Sequence, residues 1–224
     1  MSNLDQYHRH RHGLSDTLAA CPVPRLIARP DDEAGPFADR VDQLITDCAL
    51  PTGARVLDYG CGAGHATDRL AQALGGTALG VDSSLPMIRE AATTGRTRFA
   101  HTPNGVVPAG RQHFDVVHAA LVLGGLSGRN LTRAVTELLR VLKPGGLLLL
   151  IDAAGETTGR SRWNPRPADA YRTLFPGVGL AAEAAFDDGG DRLVLLAGRL
   201  ADAGPAPTPL TKKERPGKGP LQER

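Results

Sequence analysis

Residues 56–64 read VLDYGCGAG. Two apolar residues and an aspartate lead into glycines at alternate positions, Gly60, Gly62 and Gly64. A loop of that composition lets backbone approach a ligand closely. The stretch before it, RVLDYG (55–60), has the apolar character of a short buried strand, and HATDRLAQAL (65–74) follows as a helix stopped by Gly75 and Gly76. The same alternation continues down the chain. TALGVD (77–82) is a second strand. Ser83 or Ser84 can cap a helix over LPMIREAAT, with Pro86 in its first turn. TRFAH (97–101) and FDVVHAALV (114–122) are third and fourth strands. RNLTRAVTELLRVL (129–142) is an amphipathic helix ended by KPGG (143–146), and LLLLIDA (147–153) is a fifth strand.

Apolar strands alternating with helices predict an α/β protein whose parallel sheet is covered on both faces. Upstream, apolar residues from Phe37 to Leu50 form a helical stripe. Downstream, LAAEAAFDDGGDRLVLLAGRL (180–200) reads as two strands joined by a DDGG hairpin, which places one antiparallel strand on the sheet. The expected organisation is an N-terminal segment over 1–35 acting as a partial lid, a domain over 36–200, and a disordered tail over 201–224. That tail holds five prolines in 24 residues.

Composition narrows the function. With 224 residues, 41% apolar and 22% charged, the chain is ordinary for one globular domain with a short appendage. The net charge of +2 is too small to argue for nucleic acid or an anionic membrane. Cys21, Cys48 and Cys61 lack metal-type spacing and suggest a reducing, cytoplasmic setting. No apolar run is long enough to span a bilayer. The run HRHRH (8–12) has chelating spacing, but a His-rich terminus is more often solvated, and no metal is expected.

Three ligands compete for the glycine loop. A phosphate-binding P-loop requires a lysine that is absent near Gly64. A dinucleotide fingerprint needs a small third position, where His65 or Thr67 stands instead. The Gly-x-Gly-x-Gly spacing after Leu-Asp resembles the first motif of class I S-adenosylmethionine-dependent methyltransferases. LGVDSS, FDVVHAALVL and LLRVLKPGGLLLLID resemble three further motifs of that family in order, so the likeness runs over about residues 40–155.

The resemblance implies a Rossmann-like, doubly wound, seven-stranded and mostly parallel sheet with an antiparallel C-terminal hairpin strand, and S-adenosyl-L-methionine as cofactor. It implies that Asp58 helps hold the ligand's ammonium, directly or through water. Gly60, Gly62 and Gly64 would make room for the amino-acid end and ribose, and Asp82 would accept from both ribose hydroxyls. Ser83 and Met87 would lie beside ribose and adenine, His65 would touch the cofactor from the end of the loop, and Ala119 and Ala120 would border its methionine portion. Many members carry an aspartate after strand three that binds the adenine amino group. Pro103 stands there, so Thr102 or Asn104 is expected to substitute through an uncharged hydrogen bond.

Methyl transfer needs a base only when the acceptor's proton has a high pKa. His118, His101 and Asp152, at carboxyl ends of strands, are the candidates, each with a structural reading beside it: a buried histidine bonded to backbone for His118, a loop cap for Asp152. Gly124-Gly125 replaces the family's frequent His-His pair, leaving the acceptor side bare. HAALVL after strand four lacks the motif of amide and adenine amino methylators. Residues 153–179 must serve as linker, helix and partial lid; Trp163 there could stack on an acceptor or anchor the loop, and Tyr7 could close over the cofactor. The expected acceptor is an O, N or C atom of a small molecule, with natural product metabolism as the expected setting and the enzyme a monomer or homodimer. A peptide or protein terminus as acceptor, a non-methylating cyclase or decarboxylase, and a partner subunit on the same fold are the alternatives.

Overall fold

The structure, a computed structural model, describes residues 36–155, 164–188 and 191–202. The expected N-terminal lid with Tyr7 and the HRHRH run, Trp163, and the tail from residue 203 lie outside the described residues.

The chain runs α1 (Pro36–Asp47), β1 (Arg55–Tyr59), α2 (His65–Ala73), β2 (Thr77–Asp82), α3 (Leu85–Glu90), β3 (Thr97–His101), β4 (Phe114–Ala120), a 3-10 turn (Leu123–Gly125), α4 (Gly128–Val141), β5 (Leu142–Ala153), α5 (Ala168–Leu174), β6 (Ala181–Asp188) and β7 (Asp191–Arg199). The strands form one seven-stranded sheet in the order β3-β2-β1-β4-β5-β7-β6. β1 to β5 pair in parallel, and β7 runs antiparallel to both β5 and β6. The α/β class, the parallel core and the single antiparallel strand all agree with the sequence pattern.

Strand residues point alternately to the two faces, and both faces are covered. On one, Val56, Val116, Leu147, Leu149 and Ile151 pack with Leu44 and Ile45 of α1 and Leu70 of α2. On the other, Leu57, Val117, Leu148 and Leu150 pack with Leu138 of α4 and with Tyr171 and Phe175 of α5 and its end. Among the described residues, no helix is long and apolar enough to cross a membrane.

Two elements differ from the sequence pattern. α3 spans only Leu85–Glu90, short of the expected Thr93, and buries none of its residues. Without a buried face nothing sustains a longer helix. The KPGG segment was expected as a turn before β5, yet β5 begins at Leu142. The ladder explains this. Phe114 pairs with Leu142 but Val116 with Leu147, so Lys143–Gly146 bulge out while β4 advances two residues. Pro144, which cannot donate to a ladder, is tolerated in such a bulge. Lys143 pairs there with Asp115, which also accepts from the Arg55 N–H at 2.9 Å.

Candidate active site

The carboxyl ends of β1 to β4 surround a cleft of about 380 Å³. β1 and its loop contribute Tyr59 and Gly60, and β2 contributes Val81, Asp82 and Ser83. The turn after β3 contributes Thr102 to Gly105. Val122 and Leu126 flank the turn after β4, and Asn130 and Arg133 come from α4. Carboxyl ends of parallel strands are where open α/β sheets collect ligands.

The glycine loop is held by β2. Gly60 and Cys61 donate to the Val81 carbonyl at 2.7 and 3.0 Å, and Gly62 donates to Asp82 Oδ2 at 2.9 Å. Gly64 has φ 89°, and a Cβ there would stand 2.5 Å from the Phe99 ring. Its missing side chain therefore makes room for Phe99 of β3 as well as for the turn. A Cβ at Gly62 would meet no atom within 4 Å, consistent with an open approach on that side.

Asp82 is 1% exposed and ends β2. Oδ2 accepts from Gly62, and Oδ1 accepts from the Ser84 N–H at 2.9 Å. An ionised carboxylate is acceptor-only and can take several donors at once. Ser84 occupies the N-cap of α3, but its side chain makes no capping bond; Asp82 takes its backbone N–H instead. Thr102 is 6% exposed and lines the cleft, and its hydroxyl has no hydrogen-bond partner among the described residues. A buried hydroxyl without a partner is costly unless something in the cleft answers it. Asn104 Oδ1 accepts from the Val106 N–H at 3.1 Å, and the Asn104 carbonyl accepts from Arg133 at 3.2 Å.

The sequence expectations for a base meet a different arrangement. His118 was expected where the site opens. It lies 2% exposed, with Nδ1 2.9 Å from Asp58 Oδ1. The β1–β4 register sets Asp58 directly beside His118, so the pair is a consequence of strand pairing. Asp58, also 2% exposed, accepts from the Thr67 hydroxyl of α2 through Oδ2 at 2.6 Å. Asp58 and His118 thus tie β1, β4 and α2 together and are not among the cleft-lining residues. His101 is exposed at the end of β3, its Nε2 3.0 Å from the Ser83 carbonyl, and is likewise outside the cleft lining.

Asp152 was a base candidate at the carboxyl end of its strand. It is 3% exposed and caps the turn after β4, accepting from the Gly124 N–H at 3.0 Å and from its neighbour Ala153 at 2.9 Å. Burial raises its pKa to about 6; the Gly124, Ala153 and Leu123 N–H groups and the Arg166 charge pull the other way. A carboxyl with a raised folded pKa stabilises the fold below its unfolded value near 3.8, and that stability is lost as pH rises through about 6. The loss amounts to roughly 3 kcal/mol. Asp152→Asn should therefore flatten the fall in urea-unfolding stability between pH 4 and 7 relative to the parent; an unchanged slope would mean that Asp152 is not its source.

Other expected contacts fall around the cleft rather than on its lining. His65 is exposed at the first position of α2, Met87 is half-buried on α3, and Ala119 and Ala120 are buried in the sheet. Gly60, Asp82, Ser83, Thr102 and Asn104 do line it. Tyr59, Val122, Leu126, Asn130 and Arg133 were not anticipated. Asn130 and Arg133 sit three residues apart on α4, on the face that the helical apolar pattern leaves to solvent.

Among the described residues, no three His, Cys, Asp or Glu side chains are grouped to hold a metal ion. The donor set instead suits a nucleoside: a buried carboxylate able to accept from a diol, a partnerless hydroxyl, a glycine loop, and apolar Val81, Val122 and Leu126 for a base. S-adenosylmethionine, whose ribose and adenine carry those features, fits these residues.

This sheet order, with a glycine loop after β1 and a carboxylate closing β2, is the arrangement of class I S-adenosylmethionine-dependent methyltransferase domains. Residues 56–146 match the family model described as methyltransferase domain. An uncharacterized methyltransferase of Synechocystis sp. is 34% identical over 51% of this chain and 54% of its own length. The ubiquinone/menaquinone biosynthesis C-methyltransferase UbiE of Azotobacter vinelandii is 34% identical over 45% of this chain and 42% of its own. The chain thus spans about half the length of these curated relatives. Among solved structures, the (4+2) cyclase SpnF is similar in fold, with a TM-score of 0.66 at 18% identity over 91% of this chain and 98% of that one.

Proposed function

We propose that this chain is a cytoplasmic S-adenosylmethionine-dependent methyltransferase acting on an O, N or C atom of a small molecule, in natural product metabolism. The observation that carries the reading is Asp82. It is a buried carboxylate at the end of β2, lining the cleft with Gly60, and its oxygens accept from the backbone N–H groups of Gly62 and Ser84.

The bound cofactor supplies a methyl carbon already activated by a sulfonium. The chain's own residues bind and align. Asp82 accepts from the ribose hydroxyls. Thr102 offers its hydroxyl to the base edge, in place of the carboxylate that Pro103 replaces. Val81, Val122 and Leu126 exclude water from the base. Asp58 acts chiefly through its bonds to Thr67 and His118, which fix the loop, and meets the cofactor's ammonium directly or through a water. Alignment and desolvation are then the main catalytic contributions. His118, His101 and Asp152 are each engaged by protein partners, so no proton transfer is assigned to them.

Titration calorimetry with S-adenosylmethionine and S-adenosylhomocysteine is expected to give dissociation constants below the millimolar range. Failure of both to bind would overturn the reading.

A further inference from the structure

The turn after β4 separates Val122 from Leu126, and both side chains line the cleft. Its own bonds are few: Gly125 donates to the Val122 carbonyl at 3.1 Å and Leu126 to the Leu123 carbonyl at 3.0 Å. Further polar groups of the turn are taken by β5 and the segment before α5. Asp152 accepts the Gly124 N–H, and the Asn164 N–H donates to the Gly124 carbonyl at 2.7 Å. Arg166 spans the turn, with Nη1 donating to the Leu123 carbonyl and Nη2 to the Leu126 carbonyl, each at 2.7 Å. Nη1 also donates to the Asn164 carbonyl at 3.1 Å, and the Arg166 backbone N–H to the Ala153 carbonyl at 3.2 Å. The guanidinium carbon lies 6.0 Å from the centre of the Tyr171 ring, whose hydroxyl donates to Ala153.

We infer that Arg166 is a positioning residue for the cleft: by bridging the Leu123 and Leu126 carbonyls it holds the turn whose flanking residues, Val122 and Leu126, form the apolar wall. The inference rests on the proposed cofactor reading only for what the wall touches. Both ends of the turn are held by one side chain that makes no contact with the cleft. A planar fork supplies two nitrogens in fixed relation, whereas lysine brings one nitrogen on a flexible stem. Arg166→Lys therefore keeps the positive charge beside Asp152 but gives up the two-carbonyl bridge.

The test has two arms. Hydrogen exchange on the ligand-free protein reads the clamp by itself. In Arg166→Lys, the amides of Gly124, Gly125 and Leu126 should exchange at least tenfold faster, with those of Val117 and Leu148 in the sheet unchanged. Exchange within twofold of the parent overturns the clamp, whatever the cofactor. Calorimetry with S-adenosylhomocysteine at a temperature where the variant is folded reads the wall, and affinity should fall at least tenfold. Lost protection with affinity within twofold would make the bridge merely structural and overturn the positioning role. A parent protein that binds no S-adenosylhomocysteine overturns the cofactor reading and the wall's role with it, but leaves the exchange arm to decide the clamp. If the variant does not fold, the parent decides: S-adenosylhomocysteine should slow exchange at Gly124, Gly125 and Leu126 at least threefold, and unchanged exchange overturns the inference.

Discussion

Asp82→Ala should weaken S-adenosylhomocysteine binding by about 1.5–3 kcal/mol, the usual worth of hydrogen bonds to a charged group. That corresponds to about 10- to 150-fold in Kd by titration calorimetry. Two effects combine. The variant loses the acceptor for a diol, and it strips the Gly62 and Ser84 N–H groups of their partner. Gly62 belongs to the glycine loop and Ser84 to the start of α3, so both sides of the cleft relax together. Asp82→Asn separates the effects. It keeps shape and one acceptor oxygen, but its amide nitrogen must face one of those N–H donors. It should therefore recover little of the affinity. Unchanged affinity in Asp82→Ala would show that the ribose lies elsewhere.

His118→Ala should lower unfolding stability by about 1–3 kcal/mol in a urea titration, the cost of removing the partner of a buried hydrogen-bonding group. Asp58 would be left buried with the Thr67 hydroxyl as its remaining side-chain partner among the described residues. A general base behaves otherwise. Its removal lowers turnover by roughly two to four orders of magnitude while fold and cofactor affinity stand. The geometry predicts the first pattern, with any loss of turnover following the loss of folded protein. His118→Asn retains a donor toward Asp58 and should restore part of the stability. A fully stable His118→Ala protein with collapsed turnover would return the residue to the chemistry.

The fold was legible because its strands are buried on both faces. Val56-Leu57, Val116-Val117 and Leu147–Ile151 are apolar runs that a half-exposed sheet would not show. The glycine loop and Asp82 were legible because their spacing is local. The surroundings of the base candidates were not legible, for a physical reason. A sequence reveals where a residue stands along its strand but not what stands on the neighbouring one. His118 meets Asp58 across 60 positions and Asp152 meets Gly124 across 28, and neither partner is marked in the local pattern. Arg133 and Asn130 were hidden differently: on a helix, a polar residue facing a cleft has the same spacing as one facing water. Arg166 lies in a stretch with no periodicity at all.

The placement of β7 between β5 and β6 has a consequence for how the chain is made. β5 ends at Ala153, but the strand that covers its free edge spans Asp191–Arg199. Synthesis runs at roughly 5–20 residues per second, so a Leu-rich edge stays open for on the order of seconds on the ribosome. An unpaired apolar edge of that kind is a template for pairing with another chain. A nascent chain halted between the two strands would therefore be the most aggregation-prone form of this protein, and a stop codon in that interval would do more harm than its distance from the cleft suggests.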